Sequence, residues 1–249
     1  MGKRVAILSD VHGNWAALEA VAGELDRRMV NEVWCLGDTL GYLLDVREVL
    51  DWVRKKCRIV LAGNHDFALV RPETYVKHPP RLVEVFSKTF ALLTDEEKDY
   101  LYSLKINHFE RDCGCLLAHA SFFCNYNFPY LSDKKKAKTE LCSMFVPLQF
   151  VGHCHLPFVV GDATSGRMIT MNGNGVIALP KNGKNLVCVG SVGQPRDRDC
   201  RACFVIVEFN TDETLVEVVR VDYDVESAYR TYMTKDVPHE FANRLFFGI

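Results

Sequence analysis

The chain has 249 residues, 48% of them hydrophobic and 25% charged, with a formal net charge of −2 at neutral pH. That balance excludes an intrinsically disordered chain and a protein drawn to nucleic acid or anionic membrane by net charge alone. No apolar run approaches the ~20 residues that span a bilayer, so a membrane protein is not expected.

The opening "MGKRVAILSDVHGN" turns polar too early for a signal-peptide core and reads as a first strand over 4–8. An amphipathic helix follows at about 15–29, where Leu18, Val21, Ala22, Leu25 and Met29 recur at helical spacing. A strand at 32–37, a helix at 46–55 and a strand at 58–63 complete two βαβ units, the signature of a mainly parallel sheet. Next comes a helical insertion, "PPRLVEVFSKTFALL". A second helix is announced by Thr94 as N-cap with Glu97 three residues on. The remainder is strand-rich: 105–111, 114–119, 148–151, 157–161, 166–171, 175–179, 186–190, 202–209 and 213–221, before a helix at 224–234. "NGNG" and "KNGKN" read as hairpin turns within this half. The lysine-rich "SDKKKAK" reads as a solvated helix start or a loop. The absence of a linker-like tract points to one domain, 1–249, with two sheets packed face to face and helices outside.

Ten cysteines are present, and Cys200 and Cys203 have CxxC spacing without a second pair to complete a zinc ribbon. Most of the others, such as Cys35, Cys57, Cys142 and Cys188, lie among apolar neighbours and suit small core residues. Reduced cysteines and a cytoplasmic location are expected.

Metal-capable residues collect where the strands end. Asp10 and His12 close the first in "LSDVHGN", Asp38 the second in "CLGD", and Asn64, His65 and Asp66 the third in "AGNHD". His119 ends "CLLAHA", and His153 and His155 end "LQFVGHCH". Each alone has a dull explanation as an N-cap, a turn or a satisfied histidine. Five such segments at the carboxyl ends of strands, where open α/β sheets bind ligands, are hard to assign to turn chemistry. Carboxylate, imidazole and amide ligands suit Mn, Fe, Zn, Ni or Co. Seven of them (Asp10, His12, Asp38, Asn64, His119, His153 and His155) exceed one ion's needs and fill two positions if a carboxylate is shared, as in two-metal sites with ions ~3.5–4 Å apart.

In this order, D-x-H, G-D, G-N-H-D, an isolated His and G-H-x-H resemble the calcineurin-like metallophosphoesterase superfamily. "SDVHGN", "GNHD" and "GSVGQPRD" are most similar to its small bacterial branch of phosphodiesterases and diadenosine-tetraphosphatase-like or protein-phosphatase-like proteins. The resemblance runs from Asp10 to about Asp197. It implies an α/β/β/α four-layer sandwich and a binuclear metal-dependent phosphoesterase, with a metal-bridging hydroxide attacking a phosphomonoester or phosphodiester. Asp10, His12 and His155 would hold one of the two divalent transition-metal ions, Asn64, His119 and His153 the other, and Asp38 would bridge. Manganese is among the expected metals. His65 would be the general acid, oriented by Asp66. Departures are small: Cys154 stands where Thr is frequent, and Cys188 where Asn often precedes the "VGSVGQPR" turn.

Arg196 is a candidate substrate-binding clamp by charge and geometry, or else an ion-pair partner of Asp197 or Asp199. The aromatic stretch 121–131 could stack a nucleobase, act as a lid, or fill the core edge. The expected partner is a phosphorylated substrate, a nucleotide or a phosphoprotein among the options, with neither stable nucleic-acid binding nor membrane attachment. The competing reading is a catalytically silent binding or scaffold protein of the same fold. A more distant one is metal storage or redox work at the cysteines.

Overall fold

A computed structural model describes residues 2–124 and 126–249. Its first sheet is ordered β3-β2-β1-β11-β12-β9. The strands are β1 (Lys3–Leu8), β2 (Glu32–Cys35), β3 (Cys57–Val60), β9 (Val176–Pro180), β11 (Ala202–Phe209) and β12 (Glu213–Val221). Strands β1, β2 and β3 run parallel, as the βαβ pattern predicts, and the C-terminal strands add antiparallel. The second sheet is ordered β4-β5-β6-β10-β7-β8. It comprises β4 (Asn107–Glu110), β5 (Cys115–Ala118), β6 (Leu148–Val151), β7 (Pro157–Gly161), β8 (Ile169–Thr170) and β10 (Asn185–Val189).

Strand alternation sorts the side chains into layers. In β1, Val5 and Ile7 join Trp34, Leu117, Phe150, Val187 and Val205 in the core between the sheets. Ala6 and Leu8 point the other way, into a second core under the helices. There α1 (Trp15–Arg28), α2 (Val46–Lys56), α4 (Pro80–Leu92), α5 (Asp95–Ser103), α7 (Val225–Thr234) and α8 (His239–Asn243) lay down Leu18, Val49, Phe86, Leu101, Tyr232 and Phe241. The outer face of the second sheet packs Val151, Phe158 and Leu186 against Ala137 and Leu141 of α6 (Lys134–Ser143). The result is the expected α/β/β/α sandwich. Among the described residues no helix is long and apolar enough to cross a membrane.

The Thr94 capping box is present, with Thr94 N–H donating to Glu97 Oε2 at 2.7 Å and Glu97 N–H to Thr94 Oγ1 at 3.3 Å. "SDKKKAK" starts α6, capped by the Asp133 carboxylate. Two readings need correction. "NGNG" leads from β8 to β9 and "KNGKN" from β9 to β10, so each passes from one sheet to the other and neither closes a hairpin. Turn chemistry specifies a local bend, whereas the sheet a strand joins is set by tertiary pairing: β9 adds at an edge beside β12, and β10 inserts between β6 and β7. The second correction concerns "GNHD". It opens a short helix, α3 (Asn64–Leu69), with Gly63 as N-cap.

Candidate metal centre

Strand ends from both sheets converge on one buried cluster. Asp10, His12, Asp38, His65, His119, His153 and His155 are all buried, and Asn64 lies at the margin. Backbone conformation accompanies this convergence. Asp10, His12, Asp38, His153 and His155 all have φ between 50° and 63°, a left-handed state that costs a non-glycine residue roughly 1–3 kcal/mol and persists where its surroundings over-determine it. The restraints join the loops that follow β1 and β2: Asp10 N–H donates to Gly37 O and His12 N–H to Asp38 O, both at 2.9 Å. Two glycines permit the approach. A Cβ on Gly152 would lie 1.9 Å from Ser9 Oγ, and one on Gly63 would lie 2.0 Å from Asp38 Oδ1.

Each central carboxylate splits its work between two oxygens. Asp10 Oδ2 accepts the His153 amide at 3.0 Å and Asp38 Oδ1 the His65 amide at 2.8 Å. Their other oxygens face imidazoles. Asp10 Oδ1 lies 3.2 Å from His155 Nε2, 3.8 Å from His12 Nε2 and 3.9 Å from His119 Nε2. Asp38 Oδ2 lies 3.3 Å from His119 Nε2, 3.7 Å from His12 Nε2 and 3.9 Å from His65 Nε2. Asn64 Oδ1 is 3.2 Å from His119 Nε2. Three groups of three donor atoms result: Asp10, His12 and His155; Asp38, His119 and His153; and His12, Asp38 and His65. No cysteine belongs to any of them.

The donor set fits cations. His119 Nδ1 donates to the Leu36 carbonyl at 3.0 Å and His155 Nδ1 to the Gln194 carbonyl, which leaves Nε2 of each ring free to ligate. Nε2 of His12 and of His155 face each other at 3.1 Å. Asp10 Oδ1 and His153 Nε2 are buried without hydrogen-bond partners, a costly arrangement unless a cation sits among them.

Electrostatics agree. Burial would raise both carboxyls, yet His155 and His119 hold Asp10 low, and His119, His65 and His12 hold Asp38 low. Burial pushes His12 well down, His153 to about 3 and His65 to about 4, so these rings are neutral near pH 7. Burial also opposes charge on His119, but Asp38 and Asp10 overcome it and raise that ring to about 9.

Asp66 makes no hydrogen bond to His65. Its Oδ2 accepts the Thr39 and Gly63 amides, both at 3.1 Å, and its Oδ1 accepts the Leu40 amide at 3.0 Å. At the start of α3 its carboxylate meets the amides of the following turn of the Asp38 loop, so it ties that loop to the helix. Burial and then Asp38 push the Asp66 carboxyl up to about 7, against the three amides. His65 Nδ1 has no hydrogen-bond partner. Its ring is held by packing, 4.6 Å from Tyr42, 4.7 Å from His12 and 5.4 Å from Phe86 between centroids.

Asp197 pairs with Arg220 and Asp199 with Arg201, which leaves Arg196 to other partners. Its Nη2 donates to Tyr42 Oη at 3.1 Å and Gln194 Oε1 at 3.0 Å, and its Nε is buried and unpaired. Tyr42, whose ring lies 4.5 Å from His12, was not singled out in the sequence. Its only signal is a position four residues past Asp38. The aromatic stretch divides: Phe122 and Phe123 pack on Phe145, whereas Tyr130 stacks on His153 at 4.3 Å. Asn125 lies outside the described residues. Cys154 and Cys188 are buried together in the outer core, and Cys188 donates its thiol to Gly152 O at 3.3 Å.

The sequence profile of the calcineurin-like phosphoesterases matches residues 3–164. The chain is 30% identical to an uncharacterized protein of Methanocaldococcus jannaschii over 253 residues, covering 98% of each. Its fold superposes on the crystal structure of a metallophosphoesterase from Sphaerobacter thermophilus with a TM-score of 0.88 at 29% identity, over 100% of both chains. A hypothetical protein of Pyrococcus horikoshii shares the fold at 20% identity, with a TM-score of 0.80 over 99% of this chain and 98% of that one. With ligand-capable strand ends gathered on one rim and the profile matched across them, the chain belongs to the calcineurin-like phosphoesterase family.

Proposed function

We propose that the chain is a binuclear metal-dependent phosphoesterase acting on phosphomonoesters or phosphodiesters. One observation carries this reading: the unpaired Asp10 Oδ1 and the Asp38 Oδ2 each face imidazoles of both outer groups, Asp10/His12/His155 and Asp38/His119/His153. Asp10, His12 and His155 would hold one divalent ion and Asn64, His119 and His153 the other, with Asp38 between them. Bound there, divalent ions would supply an activated water as nucleophile and would offset charge on the phosphoryl oxygens.

The chain's own groups do the rest. His65 would act as general acid through its protonated form, a minor population because burial lowers its pKa; the imidazolium, 3.9 Å from Asp38 Oδ2, gives one proton to the departing oxygen and returns to neutral imidazole. Arg196, paired with no carboxylate among the described residues, would hold a phosphoryl oxygen with its guanidinium while Tyr42 fixes the fork. Asp66 acts as a positioning residue for the Asp38 loop. We further read the whole chain as one domain, because both sheets contribute ligands, and place it in the cytoplasm with manganese as the first metal to try.

The test is a metal titration followed by elemental analysis and hydrolysis of a chromogenic ester with Mn, Ni, Co, Mg and Zn. Uptake close to two ions per chain, with activity abolished by chelation and restored by metal, is expected. No uptake, with activity unchanged in chelator, would overturn the two-metal reading, and uptake without turnover would favour the silent scaffold.

A further inference from the structure

Beside the metal centre, on the Asn64 and His119 side, lies a cavity of about 290 Å³ lined by Phe67, Arg71, Tyr102, Lys105 and Tyr126 among others. Its wall adjoins the loops that carry the ligands. Ala62 N–H donates to Lys105 O at 2.8 Å and His119 N–H to Ile106 O at 3.3 Å, so the backbone of 105–106 runs between two ligand-bearing loops. Phe128 bridges them from the side, 6.2 Å from the Phe67 ring and 6.1 Å from that of His119.

Arg71 is the unusual member. Its guanidinium lies 3.8 Å over the Phe67 ring and 4.3 Å over that of Tyr102, and Nη1 donates to Phe67 O at 3.1 Å. The fork is held before any ligand arrives, and among the described residues no carboxylate pairs with it or with Lys105. A fixed, unneutralised guanidinium in a cavity, with a second cation on its wall, is organised for an anion, and its planar fork matches phosphate oxygens. Arg71 follows Asn64 by seven residues, on the order of 10 Å along a helical path. The group bound there is therefore separated from the reacting phosphorus.

We infer that this cavity is a second phosphate subsite, and that the substrates of the proposed phosphoesterase carry a second phosphate removed from the one hydrolysed. The exposed rings of Tyr102 and Tyr126 (61% and 63% accessible) flank it and suit a nucleoside between the two phosphates. The inference rests on the metal centre binding the first phosphate.

Calorimetric binding of adenosine 3′,5′-bisphosphate and of adenosine 5′-monophosphate to metal-loaded protein tests it without turnover. The bisphosphate should bind more tightly. Arg71→Gln should weaken it roughly 10- to 100-fold and Lys105→Gln roughly 2- to 5-fold, with little change for the monophosphate. Since Arg71 also bonds the end of α3, thermal melts accompany each variant; exposed Lys105 should leave the melt unchanged. Equal affinity of wild type for the two nucleotides overturns the subsite. So does a loss in Arg71→Gln that falls equally on both, which would make Arg71 a structural staple. Hydrolysis of neither phosphomonoesters nor phosphodiesters, with the binding difference intact, would sink the enzymatic reading and leave the subsite standing.

Discussion

Replacing Asp66 by Asn separates a loop anchor from an orienter of His65. The carboxyl accepts three buried backbone N–H groups with two oxygens, one from Leu40 and two from Thr39 and Gly63. An amide has one acceptor oxygen, so at best it keeps the Thr39 and Gly63 bonds and turns its NH₂ toward the Leu40 N–H. One buried donor left unsatisfied costs about 1–3 kcal/mol, or roughly 2–12 °C in Tm for a chain of this size. The loss should depend on pH. The folded Asp66 carboxyl titrates near 7 against an ordinary 3.8, so its contribution is fully present below about pH 4 and fades as pH rises through about 7. The protonated acid still offers both oxygens as acceptors. In metal-free protein the deficit of Asp66→Asn should therefore be larger at pH 5 than at pH 8, read by thermal circular dichroism. Turnover should fall by a similar factor on activated and unactivated esters, because the Asp38 loop is what moves. An unchanged Tm at both pH values, with turnover lost mainly on the unactivated ester, would refute the anchoring argument and return Asp66 to the imidazole.

Asp38→Asn should be among the most damaging changes at the centre, since Oδ2 faces both outer ligand groups; wild-type binding of two metals with normal turnover in this variant would remove the bridging assignment. His65→Asn should retain close to the full metal content while kcat falls on the order of 10²–10⁴-fold, less for a nitrophenyl ester than for an alkyl one. Loss of an ion in that variant would instead make His65 a ligand, an outcome consistent with the His12/Asp38/His65 group.

The amino-acid order by itself specified the alternation of strands and helices, the sandwich, and the identity of the residues at the centre. These are local properties: hydrophobic periodicity marks each strand, and a polar residue after its last apolar position is delivered to the sheet's rim. Tertiary structure decided the partners. No spacing within "GNHD" shows that Asp66 turns to the amides of 39 and 40, contacts 26 and 27 residues away. Nor does it show that Tyr42 and Arg196, 154 residues apart, meet over His12. The left-handed backbone at Asp10, His12, Asp38, His153 and His155 is equally invisible in composition, because it is set by the packing of loops distant in sequence, as where Asp10 and His12 N–H bond the Asp38 loop. "NGNG" and "KNGKN" misled for the same reason: turn residues set a local bend, and the sheet that receives the next strand is chosen by burial across the whole chain.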